Sequence, residues 1–226
     1  MPGYKLFITQ DPGAPYANVD DVTIGGHVVG SAWHHILPKG DFRHDGGANL
    51  AAGLASLWNT MILKNNDARI AKPVLDAIIR RIGDYGTNLT AVDIEQAKTV
   101  AKDLRDGKIT HPGSGTPDGW DSFIQVYIWL PGNLFRGPRN RADDPKNGFD
   151  TPAQLILPQK DQYNLLYDAY GEITAYLGNP SKTGYAQTAF TKLGKVADTY
   201  RTRTEFSAAQ WTWDSGKNAP KVKGSK

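Results

Sequence analysis

The stretch VTIGGHVVGSAWHHILP, residues 22–38, decides how the first part of the chain folds. Gly25-Gly26 sits between two β-branched stretches, Val22 to Ile24 and Val28-Val29, and glycine pairs are what tight hairpin turns need. The pattern predicts a two-stranded ribbon that runs on into His34 and His35, with Pro38 ending the extended segment. Neighbouring residues of an extended chain point to opposite faces, so the two imidazoles are expected to face opposite ways.

Outward from this stretch the chain reads as helix-rich. Residues 39–47 are polar and end in Gly-Gly, which predicts a loop, and residues 4–8 (YKLFI) read as a short strand. Leu50, Leu54, Leu57 and Met61 recur at helical spacing over 49–63. A helix over 73–86 opens with Pro73 and ends at Gly86. Thr90 caps the next, with Asp93 in its first turn and Gly107 closing it. HPGSGTPDG, residues 111–119, has the composition of a linker. Residues 120–132 are expected to form a buried strand, 133–150 a long structured loop, and 161–178 and 185–206 two more helices. The tail from Ser215 is expected to fray. With no internal repeat and no βαβ alternation, the class is α+β. Its regions are 1–110, bearing the His-rich stretch, and 111–226, either separate or one continuous domain.

Composition narrows the chemistry. The 226 residues include no Cys, which removes disulfides, thiolate nucleophiles and Cys-ligated zinc. Of five His, four lie between positions 27 and 44. No run of eighteen apolar residues is present, so no membrane span is expected. The opening residues, MPGYKLFITQDPGAPY, lack the apolar run of a secretory signal. Synthesis in the cytoplasm is therefore expected, with any secretion by a route that needs no such signal. The net charge is +3, but the last 46 residues carry nine Lys+Arg against three Asp+Glu. That basic end suits either phosphate tracking or a solvated tail.

Two further polar features lie downstream of the His pair. Asn49 comes fourteen residues after His35, at the junction of loop and predicted helix, within GGANL. Asn59 is ten residues further on, nearly three helical turns along. H-H-I-L-P followed by G-G-x-N-L and a helix-borne Asn resembles the HNH, or ββα-metal (His-Me finger), endonucleases, and most closely the HH-type branch of bacterial toxins and secretion-system effectors. The resemblance covers residues 22–62, less than a fifth of the chain. The zinc-binding Cys pairs of many HNH proteins are absent, as they are in the toxin branch, and the last position is Asn rather than His.

The resemblance implies a ββα-metal motif embedded in the α+β domain, and roles for its residues. His35 would be the general base, His34 the first metal ligand and Asn59 the second. Asn49 would bridge the loop and fix the ring of His35. A divalent ion with so few protein ligands keeps waters and binds phosphate, which suits Mg²⁺ first among divalent cations. The roles of His34 and His35 can also be exchanged, and a structural His pair in a strand is the alternative to both.

Other candidates carry two readings each. Lys39 and Arg43 would contact phosphate near the scissile bond. His44 and Asp45 would add a ligand or phosphate contact, or belong to a solvated loop, and His27 is read as a turn residue. Arg136, Arg139 and Arg141 would make a phosphate-binding loop, or be neutralised by Asp143 and Asp144 within the same loop. The aromatic residues of the second half are read as core, with base stacking open for Trp211 and Trp213 beside the basic end. The function expected is that of a metal-dependent DNA endonuclease, a bacterial toxin or secreted antibacterial effector with DNA as substrate and a cognate immunity protein as partner. The alternatives are a metal-independent RNase using the same His pair, and a non-catalytic binding or adaptor module.

Overall fold

The computed structural model describes residues 19–38, 68–85, 89–108, 129–145 and 148–226. It is a mixed α+β protein of helices and small antiparallel strand pairs. The hairpin is formed by β1 (Val22–Ile24) and β2 (His27–Val29), in register Thr23 opposite Val28. Gly25 and Gly26 join them at φ +57° and +84°, values that β-carbon-bearing residues rarely adopt. β3 (Ser31–His35) follows after Gly30 and pairs not with this hairpin but with β4 (Leu134–Pro138), about a hundred residues away.

β4 lies within the segment expected to be a loop. Leu134, Phe135, Gly137 and Pro138 are all buried, so the strand shows no alternation of apolar and polar residues. Its far edge is covered as well: the Arg136 and Thr204 backbones are bonded, and the Thr204 N–H donates to Leu134. Glycine at 137 is required here, because a β-carbon would lie 2.7 Å from the Trp211 ring.

The helices are α1 (Lys72–Arg81), α2 (Ala91–Arg105), α3 (Lys160–Gly178) and α4 (Thr183–Thr199). The Thr90 and Asp93 side chains satisfy each other's backbone N–H groups in a capping box at the start of α2. Gly107, at φ +70°, ends it. α4 packs on both α1 and α3, and α2 packs on α1. Gly194 lets α4 close on α1, where a β-carbon would come within 2.7 Å of the Pro73 backbone. The buried side chains of these helices, with Ile36, Leu37 and Phe135, form a single core cluster.

Two further expectations change. The last helix ends at Thr199 rather than 206, because Arg-Thr-Arg-Thr alternates with period two, and Thr204 bridges to Phe135. The tail is not frayed: β5 (Trp211–Asp214) and β6 (Ala219–Val222) form a second hairpin with Pro220 and Val222 buried. Asp143 accepts the Val222 N–H at 2.9 Å, tying this hairpin to the segment after β4. The strand expected at 4–8, the helix over 49–63 and most of the strand over 120–132 lie outside the described residues. Residues 131–133 form a short 3₁₀ turn leading into β4.

Candidate functional site

β3 places His34 and His35 on opposite faces of the β3–β4 ribbon, two strands wide among the described residues. His34 lies directly across from Phe135 and stacks on it, ring centroids 5.1 Å apart and 16° from parallel. Its Nε2 is 2.8 Å from the Pro138 carbonyl oxygen. A carbonyl only accepts, so Nε2 carries the proton and Nδ1 the lone pair. Burial, reinforced by the Arg141 charge, pushes the His34 pKa down to about 4, against the opposing pull of the Pro138 carbonyl and of Asp144 and Asp143. The ring is neutral at pH 7, in one tautomer. His35 faces the other way, across from Leu134, and tilts against Trp129 with centroids 4.7 Å apart.

The chain leaving His35 is held by a residue the sequence did not single out. Asn133, fully buried, donates from Nδ2 to the Leu37 carbonyl at 3.0 Å and accepts the Leu37 N–H at 2.8 Å. The Asn133 carbonyl accepts from Ile36 N–H, and the Asp150 N–H donates to the Ile36 carbonyl. With Ile36 and Leu37 fully buried, the strand bearing both imidazoles is anchored beyond its last rung. The only sequence signal for Asn133 is its position beside the Pro131-Gly132 turn.

The three arginines separate. Arg141 has its side chain fully buried, with Nη1 2.6 Å from Asp150 and Nε 3.0 Å from Asp143, and lies over the Phe135 and Trp211 rings. Burial opposes its charge, but the bonds and charge of Asp150 and Asp143 outweigh this and hold its pKa above the ordinary value. Arg141 is thus internally neutralised rather than presented to a ligand, because a buried guanidinium needs its counter-charges. Arg136 is half-buried and donates to Ser31 Oγ and the Asp20 carbonyl. Arg139 is exposed.

Lys39, Arg43, His44, Asp45, Asn49 and Asn59 lie outside the described residues. Among the described residues no three His, Asp or Glu converge on one point. His34 itself fits a metal ligand in the two respects that can be tested: it is neutral, and its N–H is held by a carbonyl, the usual arrangement behind an imidazole ligand.

The basic end is largely engaged. Lys192 pairs with Asp168, Lys221 with Asp214 and Arg201 with Asp84, while Lys217 donates to the Ala142 carbonyl. Trp211 is buried against Phe135 and Phe206, which removes it from base stacking. Trp213 is half-buried and stacks on His27, with centroids 3.8 Å apart and planes 9° from parallel, so His27 does more than fill a turn.

The chain matches no family model, and no curated protein or solved structure resembles it significantly. The site therefore stands on its own residues. Among those described, no helix is long and apolar enough to cross a membrane.

Proposed function

We propose that this protein is a metal-dependent endonuclease that hydrolyses DNA phosphodiester bonds, with the His34–His35 pair as its chemical centre. The observation that carries the reading is the state of His34: a neutral imidazole in a fixed tautomer, next to a second imidazole on a clamped strand. A strand that only packed would have little use for two adjacent histidines, one of them held unprotonated.

In this reading His34 is the first metal ligand, its ring oriented by the Pro138 carbonyl. His35, on the opposite face, takes the proton from the attacking water, general-base help worth about 10²–10⁴-fold. Asn59 supplies the second ligand and Asn49 steadies His35, roles that rest on the resemblance to the ββα-metal endonucleases. A divalent ion, Mg²⁺ first, would stabilise the charge that grows on the phosphate and the leaving oxygen. The toxin or effector role and the immunity protein as partner follow from the same resemblance.

Plasmid nicking with and without EDTA, for wild type and His35→Ala, tests this. Nicking that needs a divalent ion and falls by about a hundredfold or more in His35→Ala is the expected result. Full activity of His35→Ala overturns the mechanism. RNA cleavage in EDTA supports the metal-independent RNase instead, and inactivity on both polymers the adaptor.

A further inference from the structure

Between the hairpins β1–β2 and β5–β6 lies an open cavity of about 320 Å³, lined among others by Gly30, Arg139, Asn140, Trp213 and Asn218. Its volume is at the lower end of the range of small-ligand sites. We propose that this cavity is a subsite for one unpaired nucleotide of the substrate strand, with the base against Trp213 and a phosphate on Arg139. It deepens the endonuclease reading and rests on it for the class of ligand.

Three observations point there. First, Arg139 is exposed, and among the described arginines it is the one whose guanidinium has no hydrogen-bond, ion-pair or ring partner. Its backbone is nonetheless fixed, the N–H donating to the Gly30 carbonyl at 2.7 Å. An anchored arginine with a free fork is suited to a phosphate. Second, the Trp213 indole is held in orientation by its stack on His27. A fixed indole is a stacking surface for any base. Third, Asn140 and Asn218 bring two carboxamides, which both donate and accept and so can meet base edges of either polarity.

The position is also right for a neighbouring nucleotide. Pro138, whose carbonyl holds the His34 ring, directly precedes Arg139 in the chain, so one short segment orients the ring and lines the cavity. Asp21 Oδ1 lies 3.8 Å from where a β-carbon on Gly30 would sit.

Binding measured without cleavage separates this inference from the catalytic one. Fluorescence anisotropy of a labelled oligothymidylate of about 12 nucleotides is titrated with the whole protein in EDTA. Arg139→Gln and Trp213→Ala are each expected to weaken binding about tenfold, while Trp213→Phe stays within about threefold of wild type. Arg139→Gln should also lower the salt slope by about one phosphate contact. Wild-type affinity in Arg139→Gln overturns the subsite, as does an absence of oligonucleotide binding by the wild type. Should Trp213→Ala fail to fold, Arg139→Gln and Trp213→Phe decide alone. Nicking of plasmid without any effect of Arg139→Gln on binding overturns the subsite and leaves the nuclease. Tight binding that depends on Arg139, without nicking, supports the subsite and overturns the nuclease.

Discussion

A histidine that is to offer a lone pair at neutral pH has to be kept unprotonated, and the surroundings of His34 do this against some opposition. Burial and the Arg141 charge disfavour the imidazolium; the Pro138 carbonyl, Asp143 and Asp144 favour it and lose. The consequence for stability has a definite sign. In the unfolded chain the ring takes up a proton below its ordinary value of 6.5, and in the folded chain only below about 4. The contribution is therefore complete above pH 6.5, is lost as the pH falls from 6.5 to 4, and changes no further below that. Allowing for the ring's partial exposure, it amounts to about 2–3 kcal/mol. Urea unfolding in EDTA at pH 7.5 and 4.5 should show that loss in wild type and much less of it in His34→Gln. Equal pH dependence in the two proteins would show that the ring is not held neutral by its site. The same residue carries the metal prediction: calorimetric titration should find one divalent site, weakened at least tenfold in His34→Ala and in Asn59→Ala. Unchanged binding in both would reassign the ligands whether or not the protein cuts DNA.

At the scale of elements, what could be read in the sequence was whatever is decided locally. Gly25-Gly26 between β-branched residues gives the first hairpin, and Thr90 with Asp93 gives the capped α2, because each signal acts within a few residues. β4 was hidden because its pairing is long-range and both its faces are buried, so Leu-Phe-Arg-Gly-Pro looks like a turn-rich loop. β6 was hidden by its shortness and the lysines in and around it: only Pro220 and Val222 turn inward, too few to show a period. The site divides in the same way. The His pair and its opposed faces were legible, whereas the Asn133 clamp and the Arg141 ion cluster depend on partners that only the fold brings near. Those hidden contacts should be costly to break. Arg141→Ala leaves Asp150 buried without its counter-charge, and is expected to lose about 3–5 kcal/mol in denaturant unfolding. Pairing Arg141→Met with Asp150→Asn should recover part of that loss, because Asp143, which keeps the Val222 N–H, is then the one carboxylate of the cluster left without its cation. Asn133→Ala strips the Leu37 N–H and carbonyl of their partners, at about 1–3 kcal/mol for each buried group left unsatisfied. In the endonuclease reading it should also depress cleavage more than stability alone explains, since the anchor of the His strand is gone. Cleavage that simply follows the folded fraction would confine Asn133 to packing.

Over the whole molecule, the strand that bears the His pair finds its only described strand partner in the second half of the chain. β3 is paired by β4, the exit from His35 is clamped by Asn133, and α1 lies against α4. The later half depends on itself in turn: Val222, near the C-terminal end, is fully buried and its N–H is accepted by Asp143, which also pairs with Arg141 beside His34. A peptide of residues 1–110 would hold the candidate chemical residues and still lack the second strand of the ribbon, the clamp and the Pro138 carbonyl that sets the His34 tautomer. A two-stranded ribbon is marginal even when complete, and a lone strand has no ladder to join. The 1–110 fragment is therefore expected to show no cooperative thermal transition by circular dichroism, while the full chain melts in a single one. Amide exchange gives a sharper test, because protection of Ala32, His34 and Ile36 N–H groups requires β4 and Asn133 to be present. Slow exchange at those amides in the isolated fragment would mean that the first half folds alone. Fast exchange there, with protection regained when residues 111–226 are added, would show that the candidate centre is assembled from both halves.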